Sequence, residues 1–258
     1  MADIDLTEFI ADNYPTEGWL PIGNSSSHFS GTFDGNGKTI SGLWINRPQT
    51  NYVGMFGYCA YNDKNSPIIK NITLKGINIQ GDDYVGGVVG RGSSLSMDSV
   101  TLMGNVTGNN YVGGIVGRGG SSFTNIIVYG EIVGQKYVGG VGGDIGGSIK
   151  QCMSFVKLSS SQGYCGGIGG GISGYINSNY SHCKITSDGD YIGGIGGCHT
   201  EGYISDNYTT GTLVSIKEKV GGICGCLTGS QCERNYSMVS IVGKNSIGGI
   251  AGTFVGYN

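Results

Sequence analysis

Charge is scarce in this chain of 258 residues, of which only 13% are Asp, Glu, Lys or Arg. Fifteen basic residues stand against eighteen acidic ones, a net charge of −3 without a basic run, so nucleic acid and anionic membrane surfaces find no electrostatic hold. No apolar run approaches the roughly 18 residues of a membrane span, which excludes membrane insertion by a helix within this stretch. The opening residues Met1-Ala2-Asp3-Ile4-Asp5 carry acids and no basic segment followed by an apolar one. No secretion signal is visible there, and if the protein is exported its signal lies outside this chain. Histidine numbers three and no His-Glu-x-x-His occurs, so a zinc protease centre is not encoded. Proline numbers four.

Glycine, by contrast, numbers 52. Each interior Gly weakens a helix, which rules out long amphipathic helices. The glycines do not recur at every third position, which rules out collagen. With 38% apolar and 10% aromatic residues the chain buries enough surface to fold.

The glycines are periodic on a longer scale. Seven Gly-Gly-(Ile/Val)-x-Gly segments begin at Gly86, Gly113, Gly139, Gly166, Gly193, Gly221 and Gly248, spaced 27, 26, 27, 27, 28 and 27. A β-branched residue follows every pair (Val88, Ile115, Val141, Ile168, Ile195, Ile223, Ile250), and an apolar residue precedes it (Val85, Val112, Val138, Cys165, Ile192, Val220, Ile247). Tyr84, Tyr111, Tyr137, Tyr164 and Tyr191 come one step earlier, and Tyr52-Val53-Gly54-Met55-Phe56-Gly57 is an eighth, degenerate copy. A second column, Ile79, Val106, Ile132, Leu158, Ile185, Leu213 and Ile241, keeps the same phase, as do Asn179, Asn207 and Asn235. Two aliphatic columns separated by turn formers predict two strands per repeat. The fold expected is all-β: a right-handed parallel β-helix of about eight coils of 26–28 residues, stacked about 4.8 Å apart. Helical repeats lack the needed 3.6 periodicity, and the leucine-rich frame is absent. Residues 1–50 break the period and read as a capping or first-coil segment, and residues 51–258 as one continuous domain of repeats.

The Tyr-Val-Gly-Gly-Ile-Val-Gly repeat, with Trp19-Leu20-Pro21-Ile22-Gly23 and the run from Phe29 to Leu43, resembles the GLUG-repeat proteins of bacterial cell surfaces over essentially the whole chain. Asp3-Ile4-Asp5-Leu6 resembles the short strand ahead of that family's Trp-x-Pro-Ile-Gly segment, which implies that the chain begins mid-protein. The resemblance implies a parallel β-helix and an extracellular setting, since members are mostly large exported adhesins, and a related repeat region precedes the catalytic domain of IgA-cleaving metalloproteases. It supplies no catalytic residues. Lys219 and Ser246 depart from the repeat where Tyr is expected.

Several motifs invite sharper readings. Gly31-Thr32-Phe33-Asp34-Gly35-Asn36-Gly37-Lys38-Thr39 has the wrong spacing for a phosphate-cradling loop and, with Lys38 at a ligand position, for an EF-hand; a strand-turn-strand is expected. Asp82/Asp83 and Asp188/Asp190 lie in equivalent turns four coils apart, too distant to act as paired acid and base, and are expected as solvated turn residues rather than calcium ligands. Cys198 and His199 are neighbours in a strand and point to opposite faces. Cys198 and Cys226 should stack within disulfide range, although the eight cysteines are expected mostly as packed thiols. Sequons at Asn24, Asn71, Asn105, Asn179, Asn207 and Asn235 raise N-glycosylation, but three share one column, which favours a hydrogen-bonded amide ladder. Thr73, Thr101, Thr209 and Thr210 are interrupted by Ile127, Met153 and Ser181, which weakens an ice-binding reading. Tyr on an open face suits sugar stacking, with ladder packing the favoured role.

These readings lead to a non-enzymatic extracellular surface module, adhesive or spacer, with no catalytic, cofactor or metal residues assigned. Its partners would be host or bacterial surface proteins or glycans. Three alternatives stand beside it: end-to-end self-association into filaments, a polysaccharide-active enzyme, and ice binding.

Overall fold

Period-two alternation decides what faces inward. In the strand Tyr180–Ser187, Ser181, Cys183, Ile185 and Ser187 are buried while Tyr180, His182, Lys184 and Thr186 face out. That strand pairs in parallel with Met153–Gly166 on one side and Tyr208–Ser215 on the other, so Leu158, Ile185 and Leu213 fall in line. The computed structural model, which describes residues 2–256, repeats this arrangement along the chain. It is 69% strand and 3% helix, a parallel β-solenoid of about seven turns. Eight Gly-rich segments bound seven full turns, which accounts for the difference from eight expected coils.

The columns read from the sequence are the rungs of the stack. Val85, Val112, Val138, Cys165, Ile192, Val220 and Ile247 pair successively. Val88, Ile115, Val141, Ile168, Ile195, Ile223 and Ile250 are joined by backbone bonds of 2.8–3.0 Å, each N–H donating to the carbonyl one turn on. Through Ile223 that column is at most 1% exposed.

Corners come from left-handed residues. Tyr52, Tyr84, Tyr111, Tyr137, Tyr164, Tyr191, Lys219 and Ser246 have φ between 53° and 66°. A second left-handed column runs through Asn71, Ser99, Asn125, Gln151, Ser178, Asp206 and Arg234, with φ of 48–57°. Such φ is unusual for a bulky residue and persists only where surroundings over-determine it. The last glycine of each repeat supplies part of that constraint. A Cβ on Gly117 would lie 2.5 Å from both the Tyr84 carbonyl carbon and the Val85 nitrogen one turn away, and Gly143 meets Tyr111 and Val112 in the same way. Glycine is required because two backbones touch there.

The first coil is built from the aperiodic segment. Ile4–Asp5 pairs with Ile40 and Ser41, the seven-residue helix Thr7–Asn13 buries Ile10 completely, and Ile22, Phe29 and Trp44 sit in register with Phe56, Cys59 and Asn78. The Trp19 indole donates to the Met55 carbonyl at 3.0 Å. The expected strand-turn-strand at residues 31–39 is instead a single strand, Thr32–Ser41, whose pairing breaks between Asp34 and Lys38. There Asn36 and Gly37 turn left-handed, so the turn is absorbed as a bulge. No helix of the described residues is long and apolar enough to cross a membrane.

Candidate functional site

The left-handed corner aims its side chains along one edge of the solenoid. Tyr52, Tyr84, Tyr111, Tyr137, Tyr164 and Tyr191 stack with ring centroids 4.6–5.1 Å apart and interplanar angles of 1–29°. Where Lys219 replaces Tyr, its ammonium lies 4.4 Å over the Tyr191 ring and donates to the Tyr191 hydroxyl at 2.8 Å, so the departure caps the ladder. Burial pushes the phenols of Tyr111 and Tyr137 up, and that of Tyr164 up to about 12. The rings spend their faces on one another. This ladder therefore offers a sugar no stacking platform. Tyr175 and Tyr203, 61% and 43% exposed and stacked at 5.4 Å, lie on a different column.

Beside the tyrosines runs an outward column of mixed chemistry: Tyr58, Arg91, Arg118, Asp144, Gly171, Cys198 and Cys226, in register turn by turn. The Arg91 guanidinium stands 5.6 Å over Tyr58 and 5.5 Å over Tyr84, and Arg118 stands 5.3 Å over Tyr111. Arg118 Nε pairs with Asp144 Oδ2 at 3.0 Å. Burial pushes the Asp144 carboxyl up, against the pull of Arg118. Two clefts of about 310 and 330 Å³ share Arg118, Asp144 and Ser173, so this column is grooved on both flanks. Sequence reasoning missed this column, although Arg91, Arg118 and Asp144 recur at the repeat's own spacing of 27 and 26. That phase was the available signal.

The residues singled out earlier are placed as follows. Asp82 accepts from Asn109 Nδ2, and Asp83 accepts from the Asn110 backbone and side-chain nitrogens at 3.0 and 2.9 Å. Asn109 Oδ1 accepts from Gln135 and Gln135 Oε1 from Gln162, at 2.9 and 2.8 Å, an amide ladder along the turns that the sequence reading did not find. Asp190 accepts from the Glu218 backbone at 2.9 Å. The aspartate pairs remain four turns apart, through Asn110, Lys136 and Gly163.

Asn179 donates from N and Nδ2 to Asn207 Oδ1, both at 3.0 Å, and Asn207 does the same to Asn235 at 3.0 and 2.9 Å. With Asn179 and Asn207 only 2% and 1% exposed, these sequons are committed to the expected ladder. Cys198 faces the groove while His199 is fully buried. The His199 Nε2–H faces the Gly174 carbonyl at 3.3 Å, leaving Nδ1 to accept from Ser230 Oγ at 2.7 Å. Burial pulls its pKa down to about 4. Cys198 and Cys226 are register partners, both as free thiols, and burial pushes Cys198 up to about 12. The threonines do not align: Thr73 and Thr101 continue as Ile127, Met153 and Tyr180, whereas Thr209 is buried beside Ser181.

No family model matches the chain. It is 40% identical over 81 residues, 31% of its length, to a protein of Evansella cellulosilytica named putative Gly-rich membrane protein. It is also 34% identical over 107 residues, 40% of its length, to a protein of Haloquadratum walsbyi named halomucin. The matches span 9% and 1% of those two proteins. No solved structure matches.

Proposed function

We propose that this chain is a non-enzymatic module of a long extracellular surface protein, a stiff spacer whose flank makes adhesive contacts. One observation carries the reading: the two columns flanking the glycine pairs stay apolar turn after turn, while the outward column beside the tyrosines changes from Arg to Asp to Gly to Cys. A scaffold that repeats and a surface that does not are what recognition along a rod requires. The resemblance to GLUG-repeat surface proteins and the names of two much longer Gly-rich and mucin-named relatives support the same setting.

The test is an array of glycans and surface proteins probed with the purified chain, run beside a polysaccharide-degradation assay. Saturable binding to at least one arrayed molecule without cleavage is expected. A blank array sinks the adhesive part, and release of reducing ends from any polysaccharide sinks the non-enzymatic part.

A further inference from the structure

We infer that the cleft beside Arg91 and Arg118 is a subsite for a carboxylate-bearing sugar, a uronate unit of an acidic glycan; this rests on the reading of the flank as a contact surface. Arg118 is neutralised by Asp144 at 3.0 Å. Arg91 is not: among the described residues no carboxylate lies within ion-pair distance, and it is held instead against the rings of Tyr58 and Tyr84. Asp144 is the one carboxylate lining the cleft, which leaves one positive charge in excess on a chain whose net charge is −3. A fixed, unpaired guanidinium is poised to take a carboxylate through two parallel hydrogen bonds.

The shape of the cleft narrows the ligand. Gly119, Gly120 and Gly146 line it, together with Ser93 and Ser173. A Cβ on Gly120 would come to 3.3 Å from the Gly146 carbonyl oxygen and meet nothing nearer, a tight contact that a shift of a few tenths of an ångström relieves, and its absent side chain leaves the cleft open. The volume of about 310 Å³ suits a single ring-sized unit. Hydroxyls and a carboxylate already held by Arg118 match a hydroxyl-dense ligand. An acidic peptide fits less well, because the strand Val89–Gly92 is already paired with Phe56–Cys59 on one side and Val116–Gly139 on the other, leaving no edge for strand addition.

Titration calorimetry with trigalacturonate at low salt tests the assignment. Saturable binding is expected, weakened at least about tenfold by Arg91→Gln, abolished by Gly120→Val, and unchanged by Arg234→Gln on another column. The carboxyl-reduced trisaccharide should bind as poorly as trigalacturonate binds Arg91→Gln, and thermal melts should show both cleft variants folded. Absence of trigalacturonate binding, equal binding by folded Arg91→Gln or Gly120→Val, or competition by poly-L-glutamate at equal or lower concentration overturns the subsite. If trigalacturonate fails while the array still yields a ligand, the subsite falls and the adhesive module stands; a blank array removes the adhesive reading separately.

Discussion

Leu74, Leu102 and Val128 fill one inward column in the first turns, and Ser154, Ser181 and Thr209 continue it in the later ones. A neighbouring column changes one turn later, from the apolar Ile72, Val100, Ile126 and Cys152 to Asn179, Asn207 and Asn235. The early half is held by apolar burial. The late half exchanges part of that for amide hydrogen bonds along the axis. Both keep the same backbone register, because the glycine pair on the opposite wall fixes the thickness of the turn: a Cβ on Gly87 would strike Leu102 Cδ1, and one on Gly140 would strike Ser154 Oγ. The comparison teaches that backbone pairing and glycine contacts set the solenoid, while the filling is open to exchange.

The comparison breaks first where the wall changes. Gly143 lies in that turn against the Tyr111–Val112 peptide, and Gly143→Val should cost more than about 4 kcal/mol and leave little soluble folded protein, read by yield and circular dichroism. Folded protein with an unchanged melt would show that backbone contact does not set the turn.

Truncation within each half should be similarly severe for different reasons. Leu102→Ala should lose about 3 kcal/mol to a cavity, and Asn207→Ala about 3 kcal/mol to stranded amides, since it removes the acceptor of Asn179 and the donors to Ile176 and Asn235. Denaturant unfolding compares them, and an Asn207→Ala loss below about 1 kcal/mol would reduce the amide ladder to ornament.

Acid should discriminate between the halves. His199 is buried in the late half with a pKa of about 4 against 6.5 when unfolded, so the unfolded chain takes up the proton first. The stability this group contributes is complete above pH 6.5 and is lost as pH falls towards 4, by up to about 3 kcal/mol. Hydrogen exchange at pH 4.5 should show the late turns opening before the early ones, and His199→Leu should flatten the dependence.

The smallest effect is expected at Ser154, whose fully buried hydroxyl has no hydrogen-bond partner among the described residues. Ser154→Ala should leave stability unchanged or raise it by up to about 1 kcal/mol. A loss of more than that would place an unrecognised bond in the late wall.

Phase made the solenoid legible. Identical spacing of Val88, Ile115 and Val141 forces them onto one line once any coil is stacked on the next, and the Asn179, Asn207 and Asn235 ladder follows from the same arithmetic. The left-handed tyrosine corner was not legible, because Tyr is a poor candidate for positive φ in isolation and only its stacking neighbours and the abutting glycine of the next turn hold it there. The groove escaped for another reason: Arg91, Arg118 and Asp144 share a phase but not a chemistry, and a column of unlike residues does not announce itself as a column.

By itself the sequence determined the parallel stack, its period and its inward columns, since alternation and glycine spacing admit few ways to bury so many aliphatics. Only the tertiary structure decided which way each tyrosine turned, which arginine kept a free charge and where the wall left a cleft. Those depend on distances between turns some 27 residues apart in the chain that no local rule encodes.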